Sequence, residues 1–174
     1  GFAAAYYLRE RRIPVTIVSL VALDELTGAS KEHAEKAADA GAKIREACSE
    51  HCIDELARWL LRAVVVVDAM FGIGLNRELN PFMMDVVERI NKSDRLVISV
   101  DIASGLCADT GVVLGAAVQA DYTLPIAASK WGHWLAEGRD YTGKLLNVAD
   151  IGISDAIIEK SWQQTCDDAV DGFC

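Results

Sequence analysis

Continuous apolar runs, rather than alternating ones, mark the strands of this chain. Ile13–Leu20 (IPVTIVSL), Val64–Val67 (VVVV) and Leu96–Val100 (LVISV) are β-branched and nearly free of polar positions, as strands buried on both faces of a parallel sheet are. Tyr122–Ile126 and Leu145–Ile153 are two further candidates. Between them lie segments of helical character. Gly1–Arg12 carries apolar residues early and arginines late, where a helix C-terminus favours cations. Its opening glycine, with no strand before it, places this segment in the middle of a βαβ unit. Leu26–Arg62 is Ala-rich with Glu and Lys interleaved and a break near Gly41, which reads as a solvated amphipathic helix pair without chemistry. Pro81–Ile90 follows, with proline suited to a first helical turn. Lys130–Asp140 reads as a loop, and 154–174 as a tail or linker after a domain spanning 1–153. Strand, helix and strand at this spacing form right-handed parallel crossovers, so the expected fold is α/β, a three-layer sandwich with a mostly parallel sheet.

Two of the runs stop at a carboxylate and then turn through glycine: VVVVDAMFGIG at Asp68, and LVISVDIASG at Asp101. In open α/β sheets ligands sit beyond the carboxyl ends of the strands, so both acids fall where a site is expected. One such aspartate alone is as well explained by a helix N-cap; two together shift the balance to a site. Gly72 and Gly74 are positions where backbone can approach a ligand, and the amides between them could hold a phosphate. The pattern is not the GxGxxG fingerprint, and a tight turn accounts for it equally well. Ser104 could place a hydroxyl beside Asp101. A serine nucleophile would need a base, and none of His33, His51 and His133 can be placed next to it from sequence, which disfavours hydrolase chemistry. Hard oxygens such as those of Asp68 and Ser104 suit a hard cation instead.

At 174 residues with half of them apolar, the chain is long enough to bury a core. A net charge of −9 works against nucleic acid or an anionic membrane as principal partner. No apolar run reaches the roughly 20 residues of a membrane-spanning helix, which makes a soluble protein the expectation. The five cysteines, Cys48, Cys52, Cys107, Cys166 and Cys174, form no disulfide framework and point to a reducing, cytoplasmic setting. Cys48, His51 and Cys52 have the spacing of one helix face and so could bind a metal, although no second ligand pair follows.

Taken together, the motifs resemble those of the YjeF N-terminal domain family, the NAD(P)H-hydrate epimerases. VDAMFGIGLNREL is similar to the family's VDA-[LI]-FG-x-GL-x-R-x-L segment and VDIASGLCADTG to its VDIPSGLDADTG, while ADYTLPIAASKWGHWLAEGRDYTGKLLNVADIGI resembles its closing stretch. The resemblance covers 1–153. It implies a Rossmann-like fold and an isomerase that interconverts the epimers of hydrated nicotinamide cofactors, NADHX and NADPHX. By motif position it implies Asp101 at the reacting ring and a substrate-contacting loop of Gly72, Ile73, Gly74, Leu75, Asn76, Arg77 and Glu78. It also implies a potassium ion on Asp68 and Ser104, and a lysine, Lys130, which could approach the substrate's phosphate or face solvent. Trp131 and Trp134 beside it could pack a loop lid or fill core, and core is the favoured reading.

Three departures from the family pattern stand out. Its NNGGDG segment is present only as the final glycine, Gly1, so the site of this chain is expected to be incomplete and the fragment inactive. Ala103 replaces a proline, which is expected to soften the turn presenting Ser104, and Ala29 replaces an aspartate. The resemblance allows a homodimer, a fused dehydratase domain after 153, and a non-catalytic scaffold role. Retention of Asp68, Asp101 and Ser104 favours the enzyme over the scaffold.

Overall fold

The computed structural model describes residues 1–49, 52–154, 156, 157, 159 and 160. Its helices are α1 (Phe2–Glu10), α2 (Gly28–Asp39), α3 (Ile53–Arg62), α4 (Pro81–Asn91) and α5 (Gly138–Thr142). Its strands are β1 (Thr16–Ser19), β2 (Lys43–Glu46), β3 (Val65–Asp68), β4 (Leu96–Val100), β5 (Tyr122–Leu124) and β6 (Lys144–Leu145). Among the described residues the named strands pair in parallel, in two sheets: β1 with β2, and β3-β4-β5-β6 in that order.

Alternate residues of β1 show how the layers form. Ile17, with Val15 before the strand, packs on a small-residue cluster of Ala5 from α1 and Ala37 from α2. Val18 and Leu20 pack instead on the main core, built from Leu56 and Leu60 of α3, Val86, Val87 and Ile90 of α4, and Val97 of β4. Successive side chains of a strand point to opposite faces, so helices cover both sides. Val66 of β3 joins the same main core, and the two sheets therefore share it although β1 and β3 belong to separate ladders. The expectation of one continuous sheet is corrected on that point; the parallel α/β sandwich stands.

Other differences have local causes. The stretch read as a helix pair contains β2: Gly41 (φ +86°) turns the chain after α2, and Lys43–Glu46 then lies along β1 in the register Thr16 to Lys43. Its side chains are mostly exposed and charged, so nothing apolar announced a strand at this edge. The last strand is only Lys144–Leu145, with one further bridge between Ile126 and Ala149, because the chain turns away at Asp150, which accepts the Gly152 amide at 2.7 Å. The 130–140 loop holds a single helical turn, Trp131–His133, and α5. α4 starts where proline suggested: Asn80 caps it by accepting the Met83 amide at 2.8 Å, and Pro81 fills the first turn, where a missing N–H costs nothing.

Candidate functional site

The β3-α4-β4 crossover brings Asp68 and Asp101 to the same end of the sheet. In the parallel register Val65 pairs with Leu96 and Asp68 with Ser99, so Asp101 emerges two residues beyond the partner of Asp68. The Asp101 amide is still held by the Leu124 carbonyl of β5 (2.8 Å), but its backbone is left-handed, with φ +73°. Asp and Asn tolerate that region better than other side chains, though at a cost. The chain then folds tightly: Ile102 N–H reaches Val100 O at 3.0 Å and Leu106 N–H reaches Ala103 O at 3.1 Å. Gly105 (φ +100°) is required here, since a Cβ would stand 1.9 Å from the Ala116 carbonyl oxygen.

Asp68 is buried at 2 % exposure and is the anchor of this turn. Its Oδ2 accepts the Ser99 hydroxyl and the Ser104 amide, both at 2.8 Å, while Oδ1 accepts the Ser104 hydroxyl at 2.5 Å and the Met70 amide at 3.4 Å. Burial pushes the Asp68 carboxyl up from its ordinary value, against the pull of these donors. The turn is thus fixed by hydrogen bonds at the place where a proline ring was absent, and Ala103 is fully buried beneath it. Ser104 has a single hydroxyl proton, and the nearer, charged acceptor takes it. In turn its oxygen accepts the Phe71 amide at 3.0 Å, which ties the start of the Gly72–Glu78 loop to the Asp101 turn. Among the described residues no imidazole takes part, so no serine–histidine pair is built from them here.

That loop is exposed except for Leu75, which packs on the main core, and closes on itself through Leu75 N–H to Gly72 O at 3.2 Å. A Cβ on Gly72 or Gly74 would meet nothing within 4 Å. The protein's own packing does not demand glycine at either position, which leaves room for a ligand against the backbone.

Asp101 Oδ1 accepts the Ile126 amide at 3.0 Å and pairs with the ammonium of Lys130; Oδ2 takes part in neither bond. The Lys130 ammonium also donates to Ile126 O (2.7 Å) and Ala128 O (2.9 Å). Its three protons therefore have three acceptors. Lys130 neither faces solvent nor has a donor left for a phosphate; both expectations are corrected by this pairing with the acid. His133, unplaced from sequence, lies here too: one ring nitrogen, Nε2, is 2.9 Å from the Asp101 carbonyl oxygen, and the other, Nδ1, accepts the Lys130 amide at 3.1 Å. Burial pushes its imidazole below the ordinary value of 6.5, and the Lys130 ammonium adds to this, while Asp101 opposes it. A base depressed by folding contributes stability that is present above pH 6.5 and lost as pH falls through its lowered pKa. Thermal melts from pH 7.5 downward are expected to drop more steeply for the native chain than for His133→Gln. Parallel curves would refute this.

Trp131 and Trp134 are 42 % and 51 % exposed, so they do not fill core. The backbone between them does: the Gly132 amide donates to Ala108 O at 2.6 Å, and a Cβ there would lie 2.3 Å from Cys107 O. Ala29 is exposed in the first turn of α2. Cys48 lies in the loop after β2 and Cys52 caps α3, so they do not share a helix face, and His51 lies outside the described residues. Among the described residues no three His, Cys, Asp or Glu side chains converge as a metal centre. One buried carboxylate, the Ser104 hydroxyl oxygen and the Phe71 carbonyl, 3.4 Å from that hydroxyl, form an all-oxygen set with a single charge, which fits a hard cation of low charge. Sequence reasoning missed Ser99: a lone serine in an apolar strand was visible, but only the register with β3 places it beside Asp68. Nothing local marked His133.

Residues 1–132 match the sequence family described as YjeF-related protein N-terminus. The chain is 41 % identical over 161 residues to the bifunctional NAD(P)H-hydrate repair enzyme Nnr of Thermofilum pendens, covering 92 % of this chain and 30 % of that protein. It is 41 % identical over 93 residues to the NAD(P)H-hydrate epimerase of Limosilactobacillus reuteri, covering 53 % of this chain and 44 % of that protein. The chain thus spans less than half the length of these curated relatives. Its fold is similar to the crystal structure of the yeast protein ynu0, YNL200c, with a TM-score of 0.62 at 16 % identity over 78 % of this chain and 56 % of that one. At that identity the likeness shows the fold, which is Rossmann-like.

Proposed function

The chain belongs to the family of YjeF-related protein N-termini, and from that premise we propose that it interconverts the R and S epimers of hydrated NADH and NADPH. The observation that carries this reading is the Phe71–Ser104–Asp68 connection, which sets the open Gly72–Glu78 loop against the turn bearing Asp101. The names of the relatives, NAD(P)H-hydrate epimerase and repair enzyme, support the substrate class.

In this reading the substrate lies along residues Gly72, Ile73, Gly74, Leu75, Asn76, Arg77 and Glu78, with its ring at Asp101. The hydrated ring carries a hydroxyl on C6. The Asp101 carboxylate takes up a proton from water and passes it to that hydroxyl, which leaves as water, and the lone pair of the ring nitrogen stabilises the cation that remains. Water then adds to the opposite face and returns its proton to the carboxylate, so one water is lost and one regained. Asp101 acts as acid and then base, and Lys130 holds its Oδ1 in place. Incubating this chain with one purified epimer of NADHX and following the approach to the epimer mixture by chromatography tests the proposal. The same assay is run on the chain preceded by the family's NNGGDG segment, and a rate equal to the buffer rate in both would sink the proposal.

We propose in addition that Asp68 and Ser104 bind potassium, whose charge would offset the buried carboxylate and steady the loop. At tenfold excess over its dissociation constant a ligand adds about 1.4 kcal/mol of stability, which raises Tm by roughly 3–6 °C for a chain of this size. Potassium chloride is expected to produce such a rise over choline chloride at equal ionic strength, and Ser104→Ala to abolish it. Equal melting in the two salts would reject the site.

The bifunctional name of the Thermofilum pendens relative supports a further part of this reading, in which a dehydratase domain accompanies the epimerase in a longer protein. No helix among the described residues is long and apolar enough to cross a membrane. The free thiols of Cys48, Cys52 and Cys107 support action in a reducing compartment such as the cytoplasm.

A further inference from the structure

We propose that His133 is a positioning residue that locks Asp101 and Lys130 against each other, spending one imidazole nitrogen on the backbone of each. The hydrogen bonds permit a single protonation state. The Lys130 amide is only a donor, so Nδ1 must accept (3.1 Å); Nε2 then carries the proton and donates to the Asp101 carbonyl at 2.9 Å. The neutral Nε2–H tautomer alone satisfies both contacts. At 1 % exposure the ring has no water to substitute for either partner.

The position of the ring explains why it is needed. Asp101 turns left-handed at φ +73° just as it leaves β4, so its carbonyl departs from the sheet ladder and requires another donor. On the opposite side, Lys130 reaches Asp101 through a long, freely rotating stem, and the ammonium arrives at one place only if the backbone at its base is fixed. His133 joins those two backbones directly, while the ion pair joins the side chains. The result is a closed ring of contacts, Asp101 carboxylate to Lys130 ammonium, Lys130 amide to imidazole, imidazole to Asp101 carbonyl. A carboxylate that must exchange protons with both faces of a ring gains from such fixing, because catalysis depends on geometry held before the reaction. This kinetic consequence rests on the epimerase reading above; the structural lock does not.

The two arms can be separated by substitution. His133→Gln places an amide nitrogen near Nε2 and keeps the donation to Asp101, but offers Lys130 no acceptor. His133→Asn places its oxygen near Nδ1 and keeps the Lys130 arm, but loses Asp101. Amide hydrogen exchange of Lys130 in labelled protein is expected to accelerate about tenfold in the Gln variant, the equivalent of one lost hydrogen bond, and to change little in the Asn variant. Nitrogen-coupled spectra of the native imidazole are expected to show the Nε2–H tautomer. On NADHX, both variants are expected to lower kcat with KM nearly unchanged, Asn by about tenfold or more and Gln by less, since each opens the ring of contacts at one arm. The opposite tautomer, unchanged Lys130 exchange in the Gln variant, or a native kcat in the Asn variant would each overturn the role. If neither the native chain nor the chain preceded by the NNGGDG segment epimerises NADHX, the functional reading fails, and the exchange and tautomer measurements decide His133 by themselves.

Discussion

Asp101→Asn is expected to lower kcat for NADHX epimerisation by about 10²- to 10⁴-fold, the usual worth of a positioned acid-base group, while leaving the protein folded. The expectation of a fold that survives comes from the surroundings of the side chain. Asparagine tolerates the left-handed backbone at φ +73° as well as aspartate does. Its carbonyl oxygen can still accept the Ile126 amide that Oδ1 now accepts at 3.0 Å. Lys130 loses an anionic partner but keeps the Ile126 and Ala128 carbonyls, so its charge is not stranded. Breaking a fully buried pair costs about 3–5 kcal/mol. With side chains 17 % and 19 % exposed and two acceptors retained, a loss nearer 1–2 kcal/mol is expected here. The measurement is a saturation curve beside a thermal melt. A variant that melts near the native chain and turns over at the native rate would remove Asp101 from the chemistry. A collapse of the melt would instead show that the carboxylate is structural.

What the sequence made legible follows from how local each feature is. Val64–Val67 and Leu96–Val100 read as strands because continuous β-branched runs leave few alternatives, and both appear within a residue of their expected limits; burial on both faces is corrected for β3, where Val65 and Val67 are 41 % and 43 % exposed. Asp68 and Asp101 were found because each ends such a run, a fact independent of any contact. The partners of those acids were not legible. Ser99 was hidden inside a strand whose register with β3 could not be read from either segment alone. Lys130 and His133 reach Asp101 from about thirty positions away, through a turn seated by backbone contacts of Gly132 rather than by an apolar pattern. The same turn explains the misplaced tryptophans: with the glycine inside, the indoles on either side stand outward. β2 was missed for the converse reason, since its charged side chains favour no strand and only pairing with β1 makes it one.

Asp68→Ala is expected to be the most destabilising single change at this end of the sheet, and the reason distinguishes the two acids. Asp101 has one amide and one ammonium, whereas Asp68 receives two hydroxyls and two amides at 2 % exposure. Truncation strands the Ser104 amide, which has no freedom to seek another acceptor, and leaves the Ser99 hydroxyl in a fully buried place. Each buried donor without a partner costs about 1–3 kcal/mol. The gain from no longer burying a carboxylate offsets part of this, for burial is what raises the Asp68 pKa. A net loss of roughly 2–4 kcal/mol follows, or about 4–16 °C in Tm for a chain of this size. Asp68→Asn separates charge from connectivity. Its oxygen can sit where Oδ2 accepts Ser99 and Ser104, and its amide can donate to the Ser104 hydroxyl oxygen, at the expense of the long Met70 contact. The Asn variant is therefore expected to recover more than half of the stability lost by Ala. Because the Ser104 hydroxyl receives the Phe71 amide, the Ala variant should also release the start of the 72–78 loop, visible as faster exchange of that amide. Alanine and asparagine variants that melt together would show that the charge, and not the hydrogen-bond network around it, holds the turn.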